Sequence, residues 1–263
     1  MLLKNKVIII SGIGPGLGTK LAIEAALAGA QALTITARTA SKLDLVESRV
    51  QEIAPSCRIL KIPTDIQDAQ QCERVAAQTV AAFGRIDALV NNGFVHGGFN
   101  KLEEANLDEW SSVFATNVRG ATQMTLACAK HMKASGGGAV AMINTMGMMK
   151  PYTGGAIYSA TKGALAVAAK YLAVELGPDN IRVNTARMGW MWGEPVKQSI
   201  TWMAQAQECT EQKVIDGIVA NIPLRRIVTD DECARSALFL ISDYASAVTG
   251  AILDCNGGEM VTP

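Results

Sequence analysis

The stretch Val7-Ile8-Ile9-Ile10-Ser11-Gly12-Ile13-Gly14-Pro15-Gly16-Leu17-Gly18 decides how this chain folds. Four successive β-branched residues read as a buried strand, and they run straight into a turn rich in glycine. An Ala-rich pattern with helical spacing follows over 17–28. Glycine lets backbone approach a ligand closely, and a helix start offers unpaired N–H groups and the positive end of the helix dipole. A glycine-rich turn alone is a weak signal; between a first strand and a first helix it reads as a cradle for phosphate groups. A turn that needs glycine only for its own geometry would look the same up to this point.

Working outward, short apolar runs at 7–10, 32–37, 58–62, 88–90, 139–143, 182–185 and 251–254 alternate with helical patterns. The helical patterns cover 17–28, 42–53, 69–82, 108–133, 156–176 and 231–241. Such alternation predicts an α/β fold, a doubly wound parallel sheet with helices on both faces. No composition break or repeat divides the chain, and Gly136-Gly137-Gly138 is too short for a linker, so one domain over 1–263 is expected.

Composition narrows the function. Apolar residues make up 49 % and charged ones 18 %, too hydrophobic for a disordered chain. Lys+Arg (24) cancels Asp+Glu (24), which removes the electrostatic footprint of a nucleic-acid or anionic-membrane binder. Charges interrupt every apolar run before it could span a bilayer, and Lys4 and Lys6 break the N-terminal one, so no signal peptide is expected. A soluble, cytoplasmic protein is the expectation. Six cysteines without a C-x-x-C pair fit reduced, buried thiols. His96 and His131 are the only imidazoles, too few and too isolated for a metal site, so none is expected. Acid/base chemistry then falls to Tyr, Lys, Asp or Glu.

Tyr158 and Lys162 stand four apart in the helical stretch 156–176, which makes them neighbours on one face. A free Tyr titrates near 10, and a cation beside it would favour the phenolate and lower that value. Together with Ser11-Gly12-x-x-x-Gly16-x-Gly18 and Asn91-Asn92-Gly93 after the fourth strand, Tyr158-Ser159-Ala160-Thr161-Lys162 resembles the short-chain dehydrogenase/reductase family. The resemblance runs from Lys4 to Gly258. It implies a Rossmann-type domain that moves a hydride between a nicotinamide and a carbonyl or alcohol. By the resemblance, Tyr158 is the general acid/base, and Lys162 lowers its pKa and holds the ribose. Thr145 stands where the family presents a Ser that binds the substrate oxygen, and Asn117 matches the residue that supports a proton-relay water. The implied cofactor contacts are Ser11, Gly12, Gly14, Gly16, Leu17, Gly18, Arg38, Thr39, Asp65, Ile66, Asn91, Gly93, Tyr158, Lys162, Gly189 and Met191.

The end of the second strand reads Thr36-Ala37-Arg38-Thr39. An acid there would hold the ribose 2′-hydroxyl of NAD, whereas an Arg accommodates a 2′-phosphate. Ala37 and Arg38 therefore favour NADP(H) over NAD(H). The chain departs from the family at Gly93 and Phe94, which replace the Ala and Gly of its Asn-Asn-Ala-Gly turn, at Thr145, at Met188 in place of Pro, and at Gly193 in place of a Thr that helps hold the carboxamide. Trp190 and Trp192, with Met188, Met191, Trp202 and Met203, crowd a substrate loop expected over about 188–222, and an apolar wall there suits a small apolar secondary alcohol or ketone. Core or interface packing would explain the same residues. His96 is a further candidate to border the substrate. The resemblance also implies a homotetramer or homodimer. The competing expectation is a non-catalytic dinucleotide-binding sensor or assembly subunit on the same fold.

Overall fold

The computed structural model describes residues 1–261. Among the described residues are nine strands: β1 (Val7–Ser11), β2 (Ala32–Ala37), β3 (Arg58–Pro63), β4 (Ala88–Asn91), β5 (Gly138–Thr145), β6 (Ile181–Met188), β7 (Met191–Trp192), β8 (Val228–Thr229) and β9 (Ile252–Cys255). Seven of them form one parallel sheet in the order β3-β2-β1-β4-β5-β6-β9, and β7 pairs with β8 separately. β1 is buried along its whole length, as expected of a strand covered on both faces. Ile8 and Ile10 pack toward one side, where α1 (Leu17–Leu27), α2 (Ala40–Ile53) and α9 (Asp230–Leu240) supply Leu21, Leu43 and Leu238. Ile9 points to the other side, against residues such as Val75, Met124 and Leu165 of α3 (Ala69–Phe83), α5 (Ala121–Ala134) and α6 (Ala156–Leu176). The expected single α/β domain, doubly wound, is what the chain forms.

This strand order places the functional crevice. β1 and β4 are neighbours, yet the chain leaves them toward opposite faces, so their carboxyl ends open a cleft at the switch point. The longest pairing, β5 with β6, sets Thr145 directly opposite Met188.

Two segments differ from the spacing analysis. Residues 108–133 read as one helix, but a π-turn at Ala115–Gly120 separates α4 (Asp108–Phe114) from α5. The expected loop over 188–222 carries α7 (Glu194–Ala206) and α8 (Glu211–Val219), which bury Ile200, Val214, Ile218 and Ile222 in a small core of their own. Their starts follow ordinary rules: Pro195 sits in the first turn of α7, and the Thr210 hydroxyl accepts from Lys213 N at 3.2 Å to cap α8. The six cysteines are free, and five are buried. Among the described residues no helix is long and apolar enough to cross a membrane, and no cluster of His, Cys, Asp or Glu could hold a metal ion.

Candidate active site

A cavity of about 450 Å³ follows the cleft from the end of β2 to the start of α6. At its middle lies the glycine turn. Gly12 has φ +96°, and a Cβ there would sit 2.2 Å from the backbone N of Gly93, so the two crossover loops touch backbone to backbone. Asn92 secures the contact by donating from Nδ2 to the Gly12 carbonyl at 2.6 Å. Thr19 Oγ1 donates to the Gly14 carbonyl at 2.5 Å and tightens the turn from the helix side. Gly16 begins α1 without a side-chain cap, which leaves the first N–H groups of the helix for a ligand. Ser11 Oγ and Thr36 Oγ1, both on the cavity wall, are buried and have no hydrogen-bond partner. Orphaned hydroxyls, open N–H groups and a turn without side-chain bulk fit the pyrophosphate of a dinucleotide.

One end of the cavity is basic. Arg38 and Thr39 line it as expected, and so does Lys42, one helical turn further on. Thr39 is the N-cap of α2 but makes no side-chain cap, and the first turn of α2 holds no acid. Two cations and a helix N-terminus thus converge where a ribose 2′ substituent would lie. Lys42 belongs to the first turn of α2, just past its N-cap Thr39. Asp65 and Ile66 form the adjoining wall, and the Asp65 carboxylate is oriented by accepting from Gln67 N at 3.0 Å.

The other end gathers Thr145, Tyr158 and Lys162, together with Phe94, Met188, Gly189 and Met191. Thr145 closes β5, and its Oγ1 accepts from Gly147 N at 3.1 Å, so its own proton stays available for donation. Lys162 is 2 % exposed and donates from Nζ to the Ile143 carbonyl at 2.8 Å. Asn144 ties the two elements together: Nδ2 donates to the Lys162 carbonyl at 2.9 Å and Oδ1 accepts from Thr145 N at 2.8 Å. The Lys162 ammonium lies 5.7 Å from the Tyr158 ring centroid and 5.5 Å from that of Phe94. Burial lowers the pKa of Lys162 to about 7. Burial, with a smaller contribution from Tyr152, pushes the Tyr158 phenol well above its usual value. The expected lowering of the Tyr158 pKa is therefore not produced by these protein groups: desolvation outweighs a lysine whose charge it also suppresses.

Several expected residues lie elsewhere. Asn91 faces inward and donates from Nδ2 to Thr125 Oγ1 at 2.9 Å, while its neighbour Asn92 lines the cavity, as strand alternation requires. The Asn117 amide is committed to both backbone groups of Val95, at 2.8 and 2.9 Å, and to Thr161 Oγ1 at 2.9 Å. Its side chain thereby clamps the loop after β4. Trp190 and Trp192 pack on the α7–α8 core and do not line the cavity; nor does His96, which stacks beside Tyr158. Pro195, packed near Gly16, lines the cavity and was not anticipated from the sequence.

A family model described as enoyl-(acyl carrier protein) reductase matches residues 12–259. The "dehydrogenase/reductase SDR family member 4" of Oryctolagus cuniculus is 30 % identical over 259 residues, covering 97 % of this chain and 94 % of that protein. The chain belongs to the short-chain dehydrogenase/reductase family. Among solved structures, L-sorbose reductase from Gluconobacter frateurii, complexed with NADPH and L-sorbose, superposes with a TM-score of 0.92 at 25 % identity over the whole of both chains. NAD⁺-bound xylitol dehydrogenase superposes with a TM-score of 0.90 at 25 % identity, covering 98 % of this chain and 100 % of the other.

Within this short-chain dehydrogenase/reductase, two of the departures, Gly193 and Phe94, meet specific local contacts. A Cβ at Gly193 would lie 2.7 Å from Asp230 Oδ2, so the buried carboxylate at the start of α9 takes the room a Thr would need. Phe94 leaves the Asn turn with its ring tilted 49° against Tyr158 at 5.5 Å between centroids, and half of it stays exposed. No packing contact accounts for Met188 in place of Pro.

Proposed function

We propose that the protein is an NADP(H)-dependent oxidoreductase that interconverts an apolar secondary alcohol and its ketone, with Tyr158 as general acid/base. The observation that carries this reading is one cavity with Arg38 and Lys42 at one end and Thr145, Tyr158 and Lys162 at the other. The glycine turn and the open start of α1 would hold the pyrophosphate, and Arg38 and Lys42 a 2′-phosphate. Bound there, a reduced nicotinamide supplies a hydride to a carbonyl carbon, and its oxidised form accepts one from a carbinol carbon. Thr145 donates a hydrogen bond to the substrate oxygen, and Tyr158 gives it a proton on reduction or takes one on oxidation. Lys162, when charged, stabilises the phenolate and contacts the ribose. The exposed rings of Phe94 and Phe99 near Tyr158 favour an apolar substrate. Val167, Tyr171 and Val174 form an exposed apolar stripe along α6, which suits the homotetramer or homodimer the family resemblance implies.

The test is a spectrophotometric screen of ketones with NADPH and NADH, run beside Tyr158→Phe. Turnover of apolar ketones, stronger with NADPH and lost about 10²–10⁴-fold in the variant, is the expected result. The non-catalytic reading draws on the raised phenol pKa of Tyr158; tight NADPH binding with no turnover of any ketone or alcohol would favour it. Turnover within tenfold of wild type in Tyr158→Phe would remove Tyr158 from the reaction.

A further inference from the structure

We infer that His96 is a positioning residue for Tyr158, holding its phenol in the plane from which the proton moves; the inference rests on the reading of Tyr158 as acid/base. The placement begins with the backbone. Val95 donates from N to Asn117 Oδ1 and accepts at its carbonyl from Asn117 Nδ2, so the residue before His96 is anchored on both sides. The imidazole then lies nearly parallel to the Tyr158 ring, 4.6 Å between centroids at 19°. Its other face is covered by Phe99 at 4.0 Å and 15°. Rotation of the imidazole is blocked by a hydrogen bond of 3.1 Å between Nε2 and Tyr152 Oη. Tyr152 is seated in turn: a Cβ at Gly155 would lie 2.3 Å from its ring. Phe99 is seated as well, because a Cβ at Gly154 would fall 2.3 Å from its carbonyl.

The result is a column of three stacked rings with Tyr158 at the cavity end and Phe94 closing its flank. The phenol oxygen of a Tyr lies on the axis of its second side-chain bond, so rotation about that broad torsion leaves the oxygen in place but turns the ring plane, and with it the direction of the O–H bond. Offset stacking against a pinned ring removes that freedom. Burial keeps the imidazole uncharged at neutral pH, so the column aims the phenol without placing a cation on its face. His96 lies outside the cavity that holds Thr145 and Lys162, which separates this role from substrate binding.

Three variants test it by steady-state kinetics and by NADPH titration of the protein without substrate. His96→Ala removes the stack, and kcat should fall roughly 10- to 100-fold, the scale of a misaimed reacting group, with NADPH affinity and substrate KM nearly unchanged. His96→Phe keeps a flat ring against Tyr158 and should recover kcat to within about threefold of wild type. Tyr152→Phe removes the hydrogen bond to Nε2, together with the hydroxyl's interaction with Ser159, and keeps both rings, so it should fall between the two. If His96→Ala does not fold, the order wild type, His96→Phe, Tyr152→Phe still decides the matter. A kcat unchanged in His96→Ala overturns the inference. So does equal loss in the Ala and Phe variants with a raised substrate KM, which would make His96 a substrate contact. Tyr158→Phe assayed in parallel keeps the two readings apart: if it is inactive while His96→Ala is not impaired, only the positioning role fails.

Discussion

At the glycine turn the cavity is shaped by backbone against backbone, Gly12 on Gly93, with side-chain ties from Asn92 and Thr19. Around the Tyr158 end the structure rests on residues in matched pairs: Gly193 makes room for Asp230, Tyr152 holds His96, and Asn144, on the cavity wall, holds both Thr145 and the Lys162 backbone. A site built from backbone tolerates few residue types, because a Cβ in the wrong place has nowhere to go. A site built from pairs can exchange one member when the other changes. The first end keeps the family's glycine spacing over 12–18 and departs at Gly93, which leaves the backbone approach to Gly12 open, whereas the second departs at Phe94, Thr145, Met188 and Gly193.

Thr145 offers the largest expected break in this comparison. Thr145→Val keeps the shape and discards the hydroxyl, removing a donor from the point where negative charge develops on the substrate oxygen. Turnover should fall about 10²–10³-fold, while Thr145→Ser should remain active. The Val variant should also melt slightly lower, because Gly147 N loses its acceptor. Steady-state rates and melting temperatures of both variants are the check. A fully active Val variant would show that this pair is structural only.

Arg38 probes the opposite end. Arg38→Ala should weaken NADP binding by about 1.5–3 kcal/mol, the scale of a charged hydrogen bond, and leave NAD almost untouched. Lys42→Ala should act in the same direction but less, as its ammonium is a point charge without the forked geometry of Arg. Titrations with both dinucleotides check this, and equal losses for the two would mean that neither cation reads the 2′ position. Gly193→Thr tests the matched pairs directly: crowding against Asp230 should cost about 1–3 kcal/mol in stability, and adding Asp230→Ala should relieve most of it. A double mutant no more stable than the single would break the pairing argument.

How much was legible in the sequence follows the same division. The sheet, the turn and the pairing of Tyr158 with Lys162 came from local signals, namely β-branched runs, glycine spacing and an i,i+4 pair, whereas Thr145 was placed only by the family resemblance. Asn92 in place of Asn91 was a question of strand alternation at a strand's last residue, where the pattern ends. What spacing could not give were contacts between distant segments. The approach of Asp230 to Gly193, the stacking of His96 on Tyr158 and the packing of Trp190 and Trp192 on α7 and α8 depend on where loops come back together. The pKa of Tyr158 belongs to this group: adjacency of a lysine was visible, but burial of both groups was not, and burial sets the sign.

That burial yields the smallest and most specific effect. The Lys162 ammonium titrates near 10.5 in an open chain and at about 7 in the fold. Between those values the unfolded chain holds a proton that the folded protein has released, so this group makes stability rise with pH across that window. Below about 7 both states are charged, and the cost of burying the ammonium is felt in full. Lys162→Met removes the charge and keeps an unbranched side chain of similar reach. In protein free of nucleotide, the variant should gain most over wild type near pH 6, and its advantage should shrink steadily toward pH 9 or so. The difference between the two melting curves isolates Lys162, because His96, the buried thiols and the carboxylates titrate alike in both proteins. A difference that stays constant over that range would mean that Lys162 keeps its charge in the fold, and the stabilising partner would then have to be sought in the Ile143 carbonyl and the two rings that face its Nζ.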